Sequence, residues 1–255
     1  MFTRAQRDAV RERILELARA DARVTAGALT GSAALGAADA WSDIDLAFGI
    51  ADGSPIAAVL ADWTAVFRRE LDVLHYWDLR SGPSIYRVFL LPSGLEVDVA
   101  VTPQADFGAR GPQFRPLFGS TRQLEPAPAP DAQYLVGLGW HHVLHARSSI
   151  ERCKPWRAAY WISAIRDNAL TLACLRLGED AFYARGVDGL PAAVTAPFAA
   201  TFVRALDAAE LRRALTAATA CFLHELDTWD AALAARLTPL LQEFGAPQPP
   251  FDDRF

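Results

Sequence analysis

Two aspartates, Asp43 and Asp45, stand two positions apart in Trp41-Ser42-Asp43-Ile44-Asp45-Leu46, a stretch whose alternation reads as extended chain. Side chains two residues apart on a strand leave the same face, so the spacing predicts two carboxylates side by side. Such a pair repels and is costly to bury in apolar surroundings. A divalent cation between them turns that repulsion into binding. Mg²⁺ suits the role, because it takes oxygen ligands and commonly uses one or two carboxylates together with substrate phosphates. A third acid, Asp98, interrupts the apolar run Leu95-Glu96-Val97-Asp98-Val99, where packing alone favours a hydrophobic residue. Asp43, Asp45 and Asp98 together make a donor set for two cations.

Upstream, Gly31 allows close approach of backbone to a phosphate, and Ser32 offers a hydroxyl at the mouth of a short helix. Carboxylates, a Gly-Ser turn and a third strand acid suit phosphoryl transfer, in which bound metal neutralises a triphosphate and activates a hydroxyl. An acceptor hydroxyl must also lose its proton. Asp98 and Glu96, two residues apart on one strand face, are the candidate bases, with Glu151 and Asp167 as further choices. Taken singly, an Asp-x-Asp is often a solvated strand end and a Gly-Ser only a turn. Their order along the chain carries the signal.

Positive charge for a triphosphate is concentrated between Arg147 and Arg166, which holds Arg147, Arg152, Lys154, Arg157 and Arg166 against Glu151 alone. Lys154 is the only lysine among 25 basic residues. Lys154 and Arg157 open a helix on which Tyr160 lies three residues beyond Arg157, hence on the same face. The three are candidate nucleotide-contacting residues, and a plain solvated helix face is the competing reading. His141 and His145 are one helical turn apart, a spacing compatible with Zn²⁺, but no third ligand accompanies them, and packing is the expected role. Trp63, Trp77, Trp156 and Trp229 are expected in the core. Cys153, Cys174 and Cys221 are widely spaced among apolar neighbours, so buried free thiols in a reducing cytosol are expected.

The elements that must position these groups follow from periodicity. Val10, Ile14 and Leu17 predict a surface helix over 4–20. Strands are expected at 24–30, 44–50, 73–78, 84–91 and 95–101, the last two joined through Pro92-Ser93-Gly94. Between the second and third, Asp52-Gly53-Ser54-Pro55 caps a helix over 56–71. The order is α+β, a small mixed or antiparallel sheet. Alternate prolines in Glu125-Pro126-Ala127-Pro128-Ala129-Pro130-Asp131 hold that segment extended. They mark a boundary between a catalytic domain at 1–125 and an all-α helical-bundle domain at 131–255. In the second, helices are expected at 132–147, 155–177, 191–207, 209–224 and 226–244, with Ala246–Phe255 as a tail or strap.

Bulk properties narrow the function classes. With 255 residues, 52% apolar and 22% charged, the chain is ordinary globular material. No apolar run reaches the roughly 20 residues that span a bilayer, and the charged N-terminus lacks the apolar block of a secretory signal. A cytoplasmic location is expected. Net charge is −5, so no global basic surface points to nucleic acid.

The stretch Gly31–Leu46 resembles the signature of DNA polymerase β-type nucleotidyltransferases: Gly-Ser, about ten residues, Asp-x-Asp, then an acid on a later strand. Within that superfamily the chain is similar to lincosamide and aminoglycoside nucleotidyltransferases, a likeness that extends to Ala22-Arg23-Val24-Thr25-Ala26 and Trp41-Ser42-Asp43. The motif covers about a sixth of the chain, and the helical half matches in layout alone. One departure is Ala33-Ala34-Leu35 after Gly-Ser, where many relatives carry a basic or polar residue. The phosphate charge must then be met elsewhere.

The resemblance implies transfer of a nucleoside monophosphate from ATP or another NTP, with Mg²⁺, to a hydroxyl of a small molecule such as an aminoglycoside or lincosamide antibiotic. It also implies that a homodimer is the form to look for. The alternative from another class is an antitoxin-like or regulatory minimal nucleotidyltransferase acting on or through a protein partner. Against that alternative, the chain keeps all three acids and its own large helical domain.

Overall fold

Alternating apolar residues in the first half build a six-stranded mixed sheet. The computed structural model describes residues 2–244, so the tail expected at 246–255 lies outside the described residues. The strands are β1 (Val24–Thr30), β2 (Ile44–Ile50), β3 (His75–Ser81), β4 (Ser84–Leu90), β5 (Glu96–Pro103) and β7 (Phe114–Gly119), while β6 (Gly108–Ala109) and β8 (Arg122–Gln123) form a separate two-stranded ladder. The main sheet runs β3-β4-β5-β2-β1-β7. Only β2 and β5 pair in parallel there; the other four pairings are antiparallel.

Helix α1 (Arg4–Ala20) starts at a capping box in which Thr3 and Gln6 satisfy each other's backbone N–H groups. Helix α3 (Ile56–Glu70) follows β2, but its N-cap is Pro55 with no side-chain bond, so the expected polar cap does not form. Between β1 and β2 lies one short turn of helix, α2 (Gly31–Ala34). Leu46, Phe48 and Ile50 of β2 and Val97, Val99 and Val101 of β5 pack with Ile14, Leu15 and Ala18 of α1 and Val59, Leu60, Trp63 and Phe67 of α3. This buries one sheet face. By strand alternation the other face carries Asp45 and Ala47 on β2 and Glu96, Asp98 and Ala100 on β5. Small residues dominate it, with Ala26, Ala28, Ala47 and Ala100 packed under Phe107.

Contacts divide the chain into two units, residues 1–127 and 128–255, and the second is helical. It holds α4 (Ala132–Glu151), α5 (Pro155–Leu177), α6 (Ala192–Thr195), α7 (Ala208–Trp229) and α8 (Ala231–Glu243). Asp131, Asp207 and Asp230 cap α4, α7 and α8 through their carboxylates, and Gly178 closes α5 in the left-handed conformation. A core of Val143, Ile162, Ile165, Leu172, Leu215 and Phe222 binds these helices together. Gly139 is required there, since a Cβ at that position would lie 2.1 Å from the Phe222 ring.

Two expectations fail in physical detail. The helix expected over 191–207 is instead α6 followed by a 3₁₀ segment, Ala196–Thr201. Pro197 lacks the N–H that a continuing α-helix needs. The helix expected from 226 begins at Ala231, because α7 runs on to Trp229. The tryptophans and cysteines also need correction. Trp63 is core, whereas Trp77, Trp156 and Trp229 are exposed. Cys174 and Cys221 are buried, but Cys153 is exposed, in the connection between α4 and α5.

Candidate functional site

The parallel register of β2 and β5 sets Asp45 directly beside Asp98. Neighbouring strands lie about 4.8 Å apart, and matched residues of a parallel pair face the same side. Asp43 precedes β2 by one residue, and its carboxyl lies close enough to that of Asp45 to raise the Asp45 pKa. Glu96 lies two residues before Asp98 on the same face, exposed at the start of β5. The four acids therefore gather at one end of the small-residue face.

Their electrostatics are unfavourable. Burial pushes the Asp45 carboxyl up to about 7, and the charges of Asp43, Asp98 and Glu96 all add in that direction. Burial pushes Asp98 up to about 6, with Glu96 and Asp43 adding to it. Tyr86 on β4 is also raised, by burial and then by the Asp98 charge. No guanidinium or ammonium forms a salt bridge with Asp43, Asp45, Asp98 or Glu96 among the described residues. Asp98 Oδ1 is buried without a hydrogen-bond partner. Buried acceptors are normally satisfied, and one left open points to a missing donor, water or ion.

This chemistry fits a divalent cation: three clustered carboxylates, an orphaned oxygen and no competing basic group. The cage is not preformed, however. Among the described residues no group of three or more His, Cys, Asp or Glu side chains is set to hold a metal as it stands.

The Gly-Ser turn abuts this cluster. Gly31 has φ +60°, and a Cβ there would fall 2.1 Å from Asp45 Oδ2. Only glycine lets the chain pass so close to the carboxylate. Ser32 follows in α2, half-buried, and Thr30 caps that turn with no side-chain bond.

Sequence reasoning missed one contributor. Arg7, on a helix read as a surface element, is only 3% exposed. Its Nη1 donates to the carbonyl of Asp39 and, at 3.2 Å, to that of Ser42, the residue before Asp43. Asp39 fastens the same loop by accepting from the Trp41 N–H at 2.9 Å and the Ser42 hydroxyl at 3.0 Å. A buried Arg and an Asp-x-x-Ser pattern thus shape the segment that delivers Asp43. The signal in sequence was an arginine on the apolar side of α1, one turn before Val10 and two turns before Ile14.

The remaining candidates lie in the helical unit. Lys154 is the N-cap residue of α5, and Arg157 and Tyr160 stand exposed in its first turns. Neither Lys154 nor Arg157 has a carboxylate partner among the described residues. Tyr160 packs edge-on against Trp161. Glu151 pairs with Arg212 and Asp167 with Arg166, so both carboxylates are already engaged. His141 and His145 have ring centroids 4.2 Å apart, and His142 and His145 both pack against Trp161. Burial holds His142 and His145 below the usual histidine range. That is the packing role expected of them. No described helix is long and apolar enough to cross a membrane.

The chain matches no protein-family model, and no curated protein matches it. Among solved structures it is similar to the crystal structure of an aminoglycoside 6-adenyltransferase from Bacillus subtilis. That similarity covers 97% of this chain and 100% of the other, at 12% identity and a TM-score of 0.41. A likeness at this level carries no inference about activity.

Proposed function

We propose that this chain is a Mg²⁺-dependent nucleotidyltransferase that moves a nucleoside monophosphate from an NTP, taken to be ATP, to a hydroxyl of a small molecule. An aminoglycoside- or lincosamide-like antibiotic is the proposed acceptor. One observation supports the reading above the rest: Asp45 and Asp98 are in register on adjoining parallel strands, with Asp43 close beside Asp45 and no basic side chain paired with any of the three among the described residues. Such repulsion has a use where a metal–phosphate complex is the ligand.

In this reading Asp43, Asp45 and Asp98 hold the metal. Divalent cations held there would supply charge to neutralise the triphosphate and to lower the pKa of the acceptor hydroxyl. Gly31 and Ser32 let the triphosphate approach the cluster closely. The acceptor oxygen forms a bond to the α-phosphorus as the bond to the pyrophosphate oxygen breaks, and its proton passes to Asp98 or Glu96. Glu96, exposed two residues before Asp98 on the same face, is placed to take that proton without giving up a place on the metal. Lys154, Arg157 and Tyr160 are proposed to contact nucleotide, supported by unpaired positive charge and an exposed aromatic ring on one helix start.

The reading is tested by incubating the protein with Mg²⁺, α-labelled ATP or GTP and a panel of aminoglycosides and lincosamides. Label appearing on a small molecule supports it. Label on protein alone, or no transfer with any hydroxylated acceptor, counts against it. Lys154→Ala is expected to raise KM for the NTP more than KM for the acceptor.

A further inference from the structure

A second concentration of charge lies beneath α1. A cavity of about 300 Å³ there is lined by Arg4, Arg7, Arg11 and Arg115 against Asp8 and Glu12, four guanidiniums to two carboxylates. Both acids are engaged by Arg11, Asp8 at 3.0 Å and Glu12 at 3.3 Å. Arg4 and Arg115 are exposed and pair with no carboxylate among the described residues. Arg7 is nine-tenths buried, and its bonds to the Asp39 and Ser42 carbonyls both come from Nη1. Its Nε stands 3.7 Å from Asp8, too far for a good hydrogen bond. The cavity therefore presents a surplus of guanidinium donors, one of them fixed by burial, in a chain whose net charge is −5.

We propose that this cavity binds a small phosphate-class oxyanion between Arg4, Arg7 and Arg115, and that the bound anion firms the loop carrying Asp43. Guanidinium forks match tetrahedral phosphate oxygens with paired hydrogen bonds. A dianion or higher matches the surplus of two positive charges. The volume equals that of roughly ten waters, enough for a condensed phosphate as well as orthophosphate. Arg7 provides the coupling. The same guanidinium lines the cavity and holds the carbonyls of Asp39 and Ser42, so an anion that fixes Arg7 also fixes the turn leading into Asp43.

The test uses the full chain in EDTA, so that metal-dependent binding at the carboxylates does not contribute. Inorganic pyrophosphate and orthophosphate are titrated separately by calorimetry. One saturable site is expected for pyrophosphate, and orthophosphate that weakens pyrophosphate binding when present in the cell shows that the smaller ion occupies the same site. The double variant Arg4→Gln with Arg115→Gln, both exposed positions, should weaken pyrophosphate binding about tenfold or more, as expected for losing a charge-assisted hydrogen bond. Asp45→Asn should leave it unchanged. Amide exchange at Asp39 and Trp41 should slow when the anion is added. No heat up to about 5 mM pyrophosphate, equal affinity in the double variant, or unaltered exchange in the loop would each overturn the proposal. Because the titration is free of metal and needs no turnover, its failure leaves the nucleotidyl-transfer reading standing, and a failed transfer assay leaves this site standing.

Discussion

Replacing Asp45 with asparagine should stabilise the protein, by an amount that grows as pH rises from about 4 and levels off above about 7. The carboxyl is raised from 3.8 to about 7, by burial first and then by Asp43. A raised folded pKa means that the native state binds its proton more tightly than the unfolded chain does. The wild-type group therefore carries no penalty below pH 3.8. Stability falls as pH climbs through the window to about 7, and the full penalty is present above it. One pKa unit corresponds to about 1.4 kcal/mol. With part of the repulsion shared among neighbouring acids, the penalty at pH 8 is on the order of 3 kcal/mol. Asparagine mimics the neutral acid, so Asp45→Asn should raise Tm by several degrees at pH 8 and by almost nothing at pH 4. Thermal melts of both proteins across pH 4–8, in EDTA, make the assay. Adding Mg²⁺ at pH 8 should raise the wild-type Tm and leave the variant nearly unmoved. A variant less stable than wild type at pH 8, or a gain that does not change with pH, would refute the reasoning, because the carboxylate would then be contributing to the fold.

Three further outcomes are expected. Gly31→Ala should cost about 1–2 kcal/mol from its positive φ, and should abolish transfer, because the added Cβ meets Asp45; chemical denaturation and the labelled-acceptor assay measure the two effects. Arg176→Met should destabilise the helical unit by on the order of 3 kcal/mol in urea, since Glu225 is 1% exposed and would lose a bidentate partner held at 2.9 Å; adding Glu225→Leu should recover much of the loss. In the native protein a thiol reagent should modify Cys153 alone, because burial raises Cys221 to about 11 and raises Cys174 as well.

Much of the β-rich half was legible from its two-residue period, although the third strand, expected at 73–78, runs from His75 to Ser81. Strands at 24–30 and 44–50 are found where alternation places them, and the Pro-Ser-Gly turn joins β4 to β5 with Gly94 at φ +80°. The meeting of Asp45 with Asp98 was not derivable from spacing. It depends on a parallel pairing between strands that are separated in sequence by a helix and a hairpin, and only the register reveals it. Strand β7 escaped notice because Pro116 interrupts it; the strand is tolerated at the sheet edge, where a missing N–H costs no ladder bond. Arg7 was hidden for a different reason. A buried arginine on an amphipathic helix looks like a solvated residue until its carbonyl partners, 32 and 35 positions away, are known. Lys154, Arg157 and Tyr160 share one helix start as their spacing required, but spacing assigns no ligand.

Cation binding by the carboxylate cluster is tested most directly by titrating Mn²⁺ into the protein with NTP present and following free ion by electron paramagnetic resonance. Wild type should sequester the metal, and Asp43→Asn, Asp45→Asn and Asp98→Asn should each lose that capacity while remaining folded. Undiminished Mn²⁺ binding in Asp98→Asn would show that Asp98 is not a ligand, and the three-carboxylate centre would have to be abandoned.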